Sequence, residues 1–383
     1  GAIDYDVRDF HGYVTPRGTT YNAYLILDEK ATLVDTVKKN FCDDLLARIK
    51  EIIDPSKIDY IIVNHVEMDH SGSLVEVLRR APRAKIFCTQ KAREGLEKHY
   101  GITDRDFQIV KTGDTLSIGR RTLEFVAAPM VHWPDSMFTY VVEDKVLLPN
   151  DAFGQHLASP HRFADEVGED LCMEEAAKYY ANILMPLGSV IAKKVDEVVR
   201  LGVDAQIIAP SHGAIWRRDI SRIISAYGDW TSFKSLDKVV IVYDTMWDST
   251  DKIARRLTEF ITAAGIEVKL CHLRQTDGSQ IVRDILDAKV LLIGSPTLNA
   301  DMFWTVGGFL TYLRGLKPKN KKAGIFGSYG WAGGAVAAIR KECDAMGLPM
   351  VAEPLEVQFV PQAGDQDKIK SFADSVVKAV REK

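Results

Sequence analysis

A short segment in the first half of the chain brings together four side chains of the kinds that bind metal ions. In chain order they are His65, Glu67, Asp69 and His70. They directly follow an apolar stretch, residues 60–63, that is predicted to be a β-strand. In an extended chain His65 and Glu67 point to the same side, and a turn that begins at Ser71 can bring the other two toward them. The segment therefore indicates a metal site at a strand end.

Three further predicted strands lead into side chains of the same kinds. The strands are residues 123–127, 146–148 and 206–209, and the side chains that follow them are His132, Asp151 and His212. Because sites in α/β sheets form at the carboxyl ends of strands, we expect all seven donors to meet. Seven donors are enough for two metal ions if one carboxylate bridges them. Taken singly, any of these residues could instead be an ordinary polar loop residue or a helix cap.

The second half of the chain carries three loops that are suited to a nucleotide-type cofactor. They are residues 244–250, 294–299 and 327–334, and each follows a predicted apolar strand. Hydroxyl groups at a helix N-terminus favour a phosphate, glycine lets the backbone approach a ligand, and tryptophan can stack on a flat ring. The alternative for the hydroxyls is helix capping, and the alternative for each tryptophan is core packing.

The elements that position these residues predict two domains. A chain of 383 residues is about twice the usual domain size. Residues 1–235 mix helices with short strands, whereas residues 236–383 alternate strand and helix strictly. Strict alternation predicts parallel βαβ units, with helices on both faces of one sheet. We therefore expect an α/β protein with a domain boundary near residue 235.

The composition argues against several other classes of function. Lysine and arginine together number 49 and aspartate and glutamate 53, which gives a net charge of -4 without any basic cluster. Nucleic acid and membrane surfaces are therefore not expected as partners. No apolar run has the length of a membrane span, and the first residues show no secretory signal. We expect a cytoplasmic protein.

The metal motif is similar to that of a known family. H-x-E-x-D-H followed by H, D and H, as found from His65 to His212, resembles the metallo-β-lactamase-like domain of the flavodiiron proteins. Zinc hydrolases of the same fold carry H-x-H-x-D-H. Glu67 adds a carboxylate here, which shifts the preference from zinc toward iron or manganese. Residues from about 237 onward resemble flavodoxin. The resemblance implies a metallo-β-lactamase-like αββα domain followed by a flavodoxin-like doubly wound parallel sheet.

The resemblance also implies two iron ions and one FMN as cofactors. One iron would be bound by His65, Glu67 and His132, the other by Asp69, His70 and His212, and Asp151 would bridge them. In some family members the histidine that corresponds to His70 is turned away from the metal. His11, Tyr179 and Tyr180 are the candidate catalytic residues around the irons.

The residues implied to bind FMN lie in the three loops of the second half. They are Thr245, Met246, Trp247, Ser249, Thr250, Pro296, Thr297, Asn299, Ser328, Tyr329, Gly330 and Trp331. Flavodoxins usually have a glycine where Asp248 stands, which makes the geometry of the phosphate loop less predictable.

The activity implied is the reduction of dioxygen to water, of nitric oxide to nitrous oxide, or of both. The chain resembles the short form of the family, without an appended rubredoxin or flavin reductase domain, so electrons would come from a separate donor such as rubredoxin or a reduced deazaflavin. A head-to-tail homodimer, or a dimer of such dimers, would bring each flavin beside the partner's irons. The alternatives are a dizinc hydrolase with a flavodoxin-like interaction module and a flavodoxin-like electron carrier with an inert first domain.

Overall fold

A computed structural model of the protein describes residues 1–382, which form two compact units. The first unit comprises Gly1–Tyr179 and Leu187–Gly228. The second comprises Tyr180–Pro186 and the residues from Asp229 onward. The domain boundary near residue 235 stays a prediction. Within residues 1–382, no helix combines the length and the apolar character that a bilayer crossing requires.

The strands of the first unit are short, and most of them belong to two sheets. In chain order they are β1 (Ala2–Asp4), β2 (Asp9–Phe10), β3 (Tyr13–Val14), β4 (Thr19–Tyr21), β5 (Tyr24–Ile26), β6 (Thr32–Val34), β7 (Tyr60–Val63), β8 (Lys85–Cys88), β9 (Phe107–Ile109), β10 (Thr115–Ser117), β11 (Thr122–Ala127), β12 (Met137–Val141), β13 (Val146–Leu148) and β14 (Ile207–Ile208). The first sheet has the order β5-β6-β7-β8-β9, and the second has the order β10-β11-β12-β13-β14. β6 to β9 pair in parallel, as do β13 and β14.

Helices lie between these strands and continue to residue 231. They are α1 (Cys42–Lys50), α2 (Met68–Ser71), α3 (Leu74–Arg80), α4 (Gln90–Tyr100), α5 (Ala164–Val167), α6 (Glu169–Tyr179), α7 (Gly188–Arg200) and α8 (Ile220–Thr231). Single turns of 3₁₀-helix span Lys39–Phe41, Pro55–Lys57 and Met185–Leu187, and one π-helical turn spans Tyr180–Leu184.

The first sheet is buried on both of its faces. Ile62 of β7 packs in one buried cluster with Phe125 and Met137 of the second sheet. Its neighbour Ile61 packs in another cluster, which includes Leu46 of α1 and Val77 of α3. Successive side chains of a strand point to opposite faces, so the apolar pair in β7 joins the sheet-to-sheet core to the helix layer. This packing fixes the strand whose end carries four of the predicted ligands.

The second unit is built on one parallel sheet. Its strands are β15 (Lys238–Tyr243), β16 (Glu267–His272), β17 (Val290–Leu298), β18 (Asp301–Met302), β19 (Lys322–Tyr329) and β20 (Leu355–Gln358). Its helices are α9 (Ser249–Ala263), α10 (Gly278–Leu286), α11 (Trp304–Leu316), α12 (Ala335–Ala345) and α13 (Gln366–Arg381), with a 3₁₀ turn at Ala363–Asp365.

The order of the parallel strands is β16-β15-β17-β19-β20, and β18 pairs with β17 in the antiparallel sense. Every residue of β15 is buried, as expected for a strand that helices cover on both faces. The order reverses at β15, because the chain moves from β15 to β16 on one side and then to β17 on the other. Ligands of such sheets bind at the carboxyl ends of strands beside this reversal.

Candidate metal and flavin sites

The seven predicted metal ligands leave four strand ends of the first unit. β7 leads to His65 and Glu67, and α2 follows with Asp69 and His70. β11 precedes His132, β13 precedes Asp151 and β14 precedes His212. These donors fall into two groups, and within each group the ligand atoms lie within 4.8 Å of one another. The groups are His65, Glu67, His132 and Asp151, and Asp69, His70 and His212.

The turn that brings Asp69 and His70 round begins earlier than we expected. Instead of starting at Ser71, it starts at Glu67, which precedes the helical turn α2. The Ser71 hydroxyl donates to the carbonyl oxygens of Val66 and Glu67 at 2.6 and 2.9 Å. Ser71 therefore closes the turn, because its side chain bonds back to backbone groups one helical turn before it.

The first group surrounds a space that suits a cation. His132 Nε2 lies 3.4 Å from Glu67 Oε2 and 3.0 Å from Asp151 Oδ2. His65 Nε2 lies 3.3 Å from the same Glu67 oxygen. Two imidazoles and two carboxylates thus direct one ligand atom each to a common point.

The second group uses the other oxygen of Asp151. His70 Nε2 lies 3.0 Å from Asp151 Oδ1 and 3.2 Å from Asp69 Oδ2. His212 Nε2 lies 3.0 Å from the same Asp69 oxygen. His70 therefore faces the site. Asp151 presents one oxygen to each group, which is the geometry of a bridging carboxylate.

Several of these atoms lack the hydrogen bonds that buried polar atoms require. Among residues 1–382, both oxygens of Asp69, both ring nitrogens of His70 and Nε2 of His212 are buried and form no hydrogen bond. Buried polar groups are almost always satisfied, so these atoms indicate missing partners. Nitrogen and oxygen atoms that lie about 3 Å apart without hydrogen-bond geometry fit ligands around an ion. The donor set therefore fits two metal ions.

The charges at the site are consistent with this arrangement. Burial alone would raise the pKa of Glu67, but hydrogen bonds with His11, His132 and His65 hold this pKa well below its usual value. Burial likewise opposes ionisation of Asp151, whose pKa is held low by His70 and His132. The carboxylates are therefore ionised, and despite burial the same pairs raise the pKa values of His65, His70 and His132, so these histidines must release protons to bind a metal.

The ligands are oriented by groups that the sequence analysis missed. Asp135 Oδ2 accepts hydrogen bonds from His65 Nδ1 at 2.9 Å and from the Val66 backbone at 2.8 Å. His212 Nδ1 donates to the Thr20 carbonyl oxygen at 2.7 Å, and Ser211 Oγ donates to Asp151 Oδ1 at 2.8 Å. Metal-binding histidines commonly donate their second nitrogen in this way, which leaves Nε2 for the ion. The clue to Asp135 in the sequence is that its carboxylate lies only three residues after the predicted ligand His132.

The three predicted catalytic residues have different surroundings. His11 Nε2 donates to Glu67 Oε1 at 2.7 Å, the oxygen opposite the one that faces the metal position. The ring of Tyr179 lies 5.1 Å from that of His156 and 6.3 Å from that of His212. Tyr180 packs against Trp230 within the second unit. His11 and Tyr179 therefore lie beside the ligands.

The first predicted flavin loop follows β15, whereas the second lies largely within β17 and the third begins within β19, because these two strands extend further than predicted. The first loop ends at α9, whose N-terminus begins at Ser249. Asp248 has a φ of 61°, in the left-handed region where glycine is preferred. Aspartate tolerates this conformation better than most residues, which explains how Asp248 replaces the usual glycine.

Hydroxyl groups lie where the first and third flavin loops meet. Thr250 Oγ1 and Ser328 Oγ are buried and lie 2.9 Å apart, so they join the first loop to the third. Among residues 1–382, the buried hydroxyl of Thr245 has no hydrogen-bond partner. A buried hydroxyl beside a helix N-terminus suits a phosphate oxygen, so these residues fit the phosphate of FMN.

The aromatic residues of these loops are open to solvent. Trp247 is 83% exposed and Trp331 is 94% exposed, and Met246 is also exposed. In the second loop Thr297 Oγ1 accepts from the Ala335 backbone at 3.3 Å, and Asn299 has a φ of 54°. Pro296 is buried in β17, whereas Tyr329 and Gly330 are partly exposed at the end of β19. The two tryptophans are not core residues, so the core-packing alternative is wrong for both.

Comparisons with known proteins match the two units to two families. The model of the ODP family of beta-lactamases matches residues 19–213, and the flavodoxin model matches residues 241–372. A nitric oxide reductase of Moorella thermoacetica is 50% identical over 95% of this chain and 92% of its own.

Solved structures agree over the full length. Rubredoxin oxygen:oxidoreductase from Desulfovibrio gigas superposes with a TM-score of 0.96 at 41% identity, over 100% of this chain and 96% of that chain. The flavodiiron protein from Giardia intestinalis has a TM-score of 0.95 at 34% identity, over 99% of this chain and 95% of that chain. The predicted fold class is confirmed, and the chain belongs to the flavodiiron protein family.

Proposed function

We propose that this chain is an oxidoreductase that reduces dioxygen, nitric oxide or both at two irons, with FMN as its electron carrier. The observation that carries the proposal is Asp151, whose two oxygens each face one group of buried metal ligands. The names of the similar proteins, a nitric oxide reductase and a rubredoxin oxygen:oxidoreductase, support it. A dizinc hydrolase is not favoured, since Glu67 makes the site richer in carboxylate than zinc hydrolases are.

We propose that one iron is bound by His65, Glu67 and His132, and that the second is bound by Asp69, His70 and His212. Asp151 would bridge them. Two adjacent irons supply a place for a diatomic gas and deliver electrons to it together. The burial of the histidines limits the access of water, and Asp135 holds His65 with Nε2 toward the first position.

Residues around the ligands provide proton donors. His11 donates to Glu67 and so orients its carboxylate. The hydroxyl of Tyr179 is buried and has no hydrogen-bond partner in residues 1–382. Burial and the nearby carboxylates raise the pKa of Tyr179, so its hydroxyl is protonated. The proposed catalytic role of Tyr180 stays a prediction.

We propose that the FMN phosphate binds at Thr245, Ser249 and Thr250, with the ring near Thr297 and Trp331. The unpartnered Thr245 hydroxyl and the N-terminus of α9 support the phosphate position. FMN accepts electrons and passes them on one at a time. The other predicted contacts are Met246, Trp247, Pro296, Asn299, Ser328, Tyr329 and Gly330.

We further propose that the chain works as a head-to-tail homodimer with a separate electron donor. The exposed rings of Trp247 and Trp331 support an interaction surface at the flavin loops. The name of the Desulfovibrio gigas protein favours rubredoxin as the donor. Sedimentation and turnover of the same sample test the dimer. A monomer with full turnover would contradict it.

The function is tested with the purified chain loaded with iron and FMN. The protein is reduced without oxygen and mixed rapidly with dioxygen or with nitric oxide, while gas consumption and nitrous oxide are measured. We expect fast reoxidation by at least one gas, with about two irons and one flavin per chain. Zinc without flavin, or a reduced protein that neither gas reoxidises, would contradict the proposal. Parallel assays with reduced rubredoxin and with a reduced deazaflavin identify the donor.

A further inference from the structure

A buried carboxylate at the start of the first flavin loop has no role in the function described above. Asp244 directly follows β15 and is 0% exposed. Its backbone N–H donates to the Gly294 carbonyl oxygen at 3.2 Å, as a continuation of the strand pairing. The side chain therefore lies at the point where the sheet ends and the loops begin.

Both oxygens of Asp244 accept hydrogen bonds. Oδ1 accepts from the Thr245 backbone at 2.6 Å, from Arg274 Nε at 2.9 Å and from His272 Nε2 at 3.1 Å. Oδ2 accepts from Thr305 Oγ1 at 2.5 Å. We call these residues the Asp244 cluster. Burial would raise the pKa of Asp244, but these four donors hold it below its usual value.

The cluster connects separate segments around the flavin loops. Thr245 belongs to the first loop, and Thr305 lies in the first turn of α11, shortly after the second loop. Arg274 follows β16, and its Nη2 also donates to the Thr245 carbonyl oxygen at 2.5 Å. Its guanidinium lies 5.5 Å from the ring centre of Phe303, which directly precedes α11.

His272, one of the donors to Asp244, is itself held in place by its neighbours in the sheet. Its ring stacks on Tyr243 with 5.2 Å between the centres and 16° between the planes. The Tyr243 hydroxyl donates to Asp251 Oδ1 in α9 at 2.5 Å. The donors to Asp244 are thus tied to the sheet and to the helix that begins at the phosphate position.

We infer that Asp244 is a positioning residue for FMN, which holds the first loop in its binding geometry relative to the second through Arg274 and Thr305. This inference rests on the proposed binding of FMN to these loops. A carboxylate buried this deeply is costly unless it is fully hydrogen-bonded, and its donors come from the segments that frame the flavin site. Ordering a loop before the ligand arrives increases affinity, because less freedom is lost on binding.

The test measures the FMN dissociation constant of the flavin-depleted chain, residues 1–383, by the quenching of flavin fluorescence. For Asp244→Ala we expect an increase of about 10- to 100-fold, since all four charge-assisted hydrogen bonds are lost. Asp244→Asn keeps one carbonyl oxygen and is expected to fall between the wild type and the alanine variant. Thr305→Val removes only the bond to Oδ2 and is expected to raise the constant a few-fold.

Asp287→Ala is the matched control. Asp287 accepts from Lys238 at 2.8 Å in the same unit, but Lys238 begins β15, roughly 17 Å from its carboxyl end. This variant is expected to lower the melting temperature without changing the FMN dissociation constant. Equal weakening by Asp244→Ala and Asp287→Ala would overturn the inference, because the effect would then be general destabilisation.

Further outcomes separate the inference from the proposed function. If the wild-type chain does not bind FMN, the proposed function fails. If the wild type binds and Asp244→Ala binds equally well, the inference is wrong. Should the alanine variant not fold, Thr305→Val and Asp244→Asn decide, and unchanged binding by both would refute the role of Asp244.

Discussion

The metal site of the first unit and the flavin loops of the second differ in how far their buried polar atoms are already hydrogen-bonded within the chain. At the metal site, buried nitrogen and oxygen atoms of Asp69, His70 and His212 face one another without hydrogen bonds. At the flavin loops, most buried polar atoms are bonded, as in the pair Thr250 and Ser328. What remains free there is mainly the exposed aromatic surface of Trp331 and its neighbours.

This difference concerns where each site obtains its binding energy. The metal ligands are arranged by the packing of two sheets, and an ion relieves an arrangement of charges that the chain cannot neutralise alone. The flavin loops are fixed by their own hydrogen bonds, so the cofactor adds contacts to a surface that is already formed. Loss of the metals is therefore expected to perturb the first unit more than loss of FMN perturbs the second.

Asp151→Ala is the strongest test of this contrast. The variant removes the only carboxylate that faces both ligand groups in the described chain, so we expect both irons to be lost and turnover to fall by at least about 100-fold. Iron analysis and gas consumption measure the effect. Asp204→Ala, which removes an exposed carboxylate paired with Lys145 at 2.5 Å, is the control. Retention of both irons by Asp151→Ala would contradict a bridging role.

His70→Leu is expected to remove one iron. His70 Nε2 faces Asp69 and Asp151 but not Glu67, so only the second position should lose a ligand. Iron content should fall from about two to about one per chain, and turnover, which requires both ions, should fall with it. The control is His99→Leu, which replaces a histidine that is exposed to solvent. Unchanged iron content would indicate that His70 is not a ligand.

Asp135→Asn tests the orientation of a ligand. The neutral amide is a weaker acceptor for His65 Nδ1, so we expect iron affinity to drop by roughly 10-fold, measured by competition with a chelator. Asp106→Asn, which affects an exposed ion pair with Lys85, should leave the affinity as it is. Equal affinities in the two variants would show that Asp135 does not support the metal.

Thr245→Val is expected to act in opposite directions on binding and on stability. The hydroxyl lacks a partner in residues 1–382, so its removal should leave the flavin-free chain equally stable or more stable. FMN affinity should fall by about 10-fold if the phosphate is that partner. Thr250→Val, whose hydroxyl already bonds Ser328, should lower both quantities. Thermal unfolding and flavin titration distinguish the two variants.

Much of the fold could be predicted because its central strands are apolar runs with clear ends. β7 and β13 were predicted with the bounds that the structure has, and β11 begins only one residue earlier than predicted. The strands that were missed, such as β2 and β3, have two residues each and form no recognisable alternation. They pair with each other across a turn at His11 and Gly12, so they were missed because they are too short to show a pattern.

The grouping of the seven candidate ligands could be predicted because each is a metal-binding residue type that follows a strand, and their binding of metal stays a prediction. Asp135 could not, since its segment Trp133–Ser136 also has the composition of an ordinary turn. Its role depends on a contact with His65, which lies 70 residues earlier in the chain. Asp244 was missed for a similar reason, because the donors that give it meaning come from other strands and helices.

The shared side chain of Asp151 has a consequence for how the site is filled. Ser211 already holds one of its oxygens, and both oxygens belong to one side chain, so an ion at either position would act on the carboxylate that the other position needs. Loading should therefore be cooperative, with few molecules carrying a single ion at intermediate iron concentrations. An incorrect ion in either position would also distort the other, which makes the assembly of this site sensitive to the order in which metals are supplied.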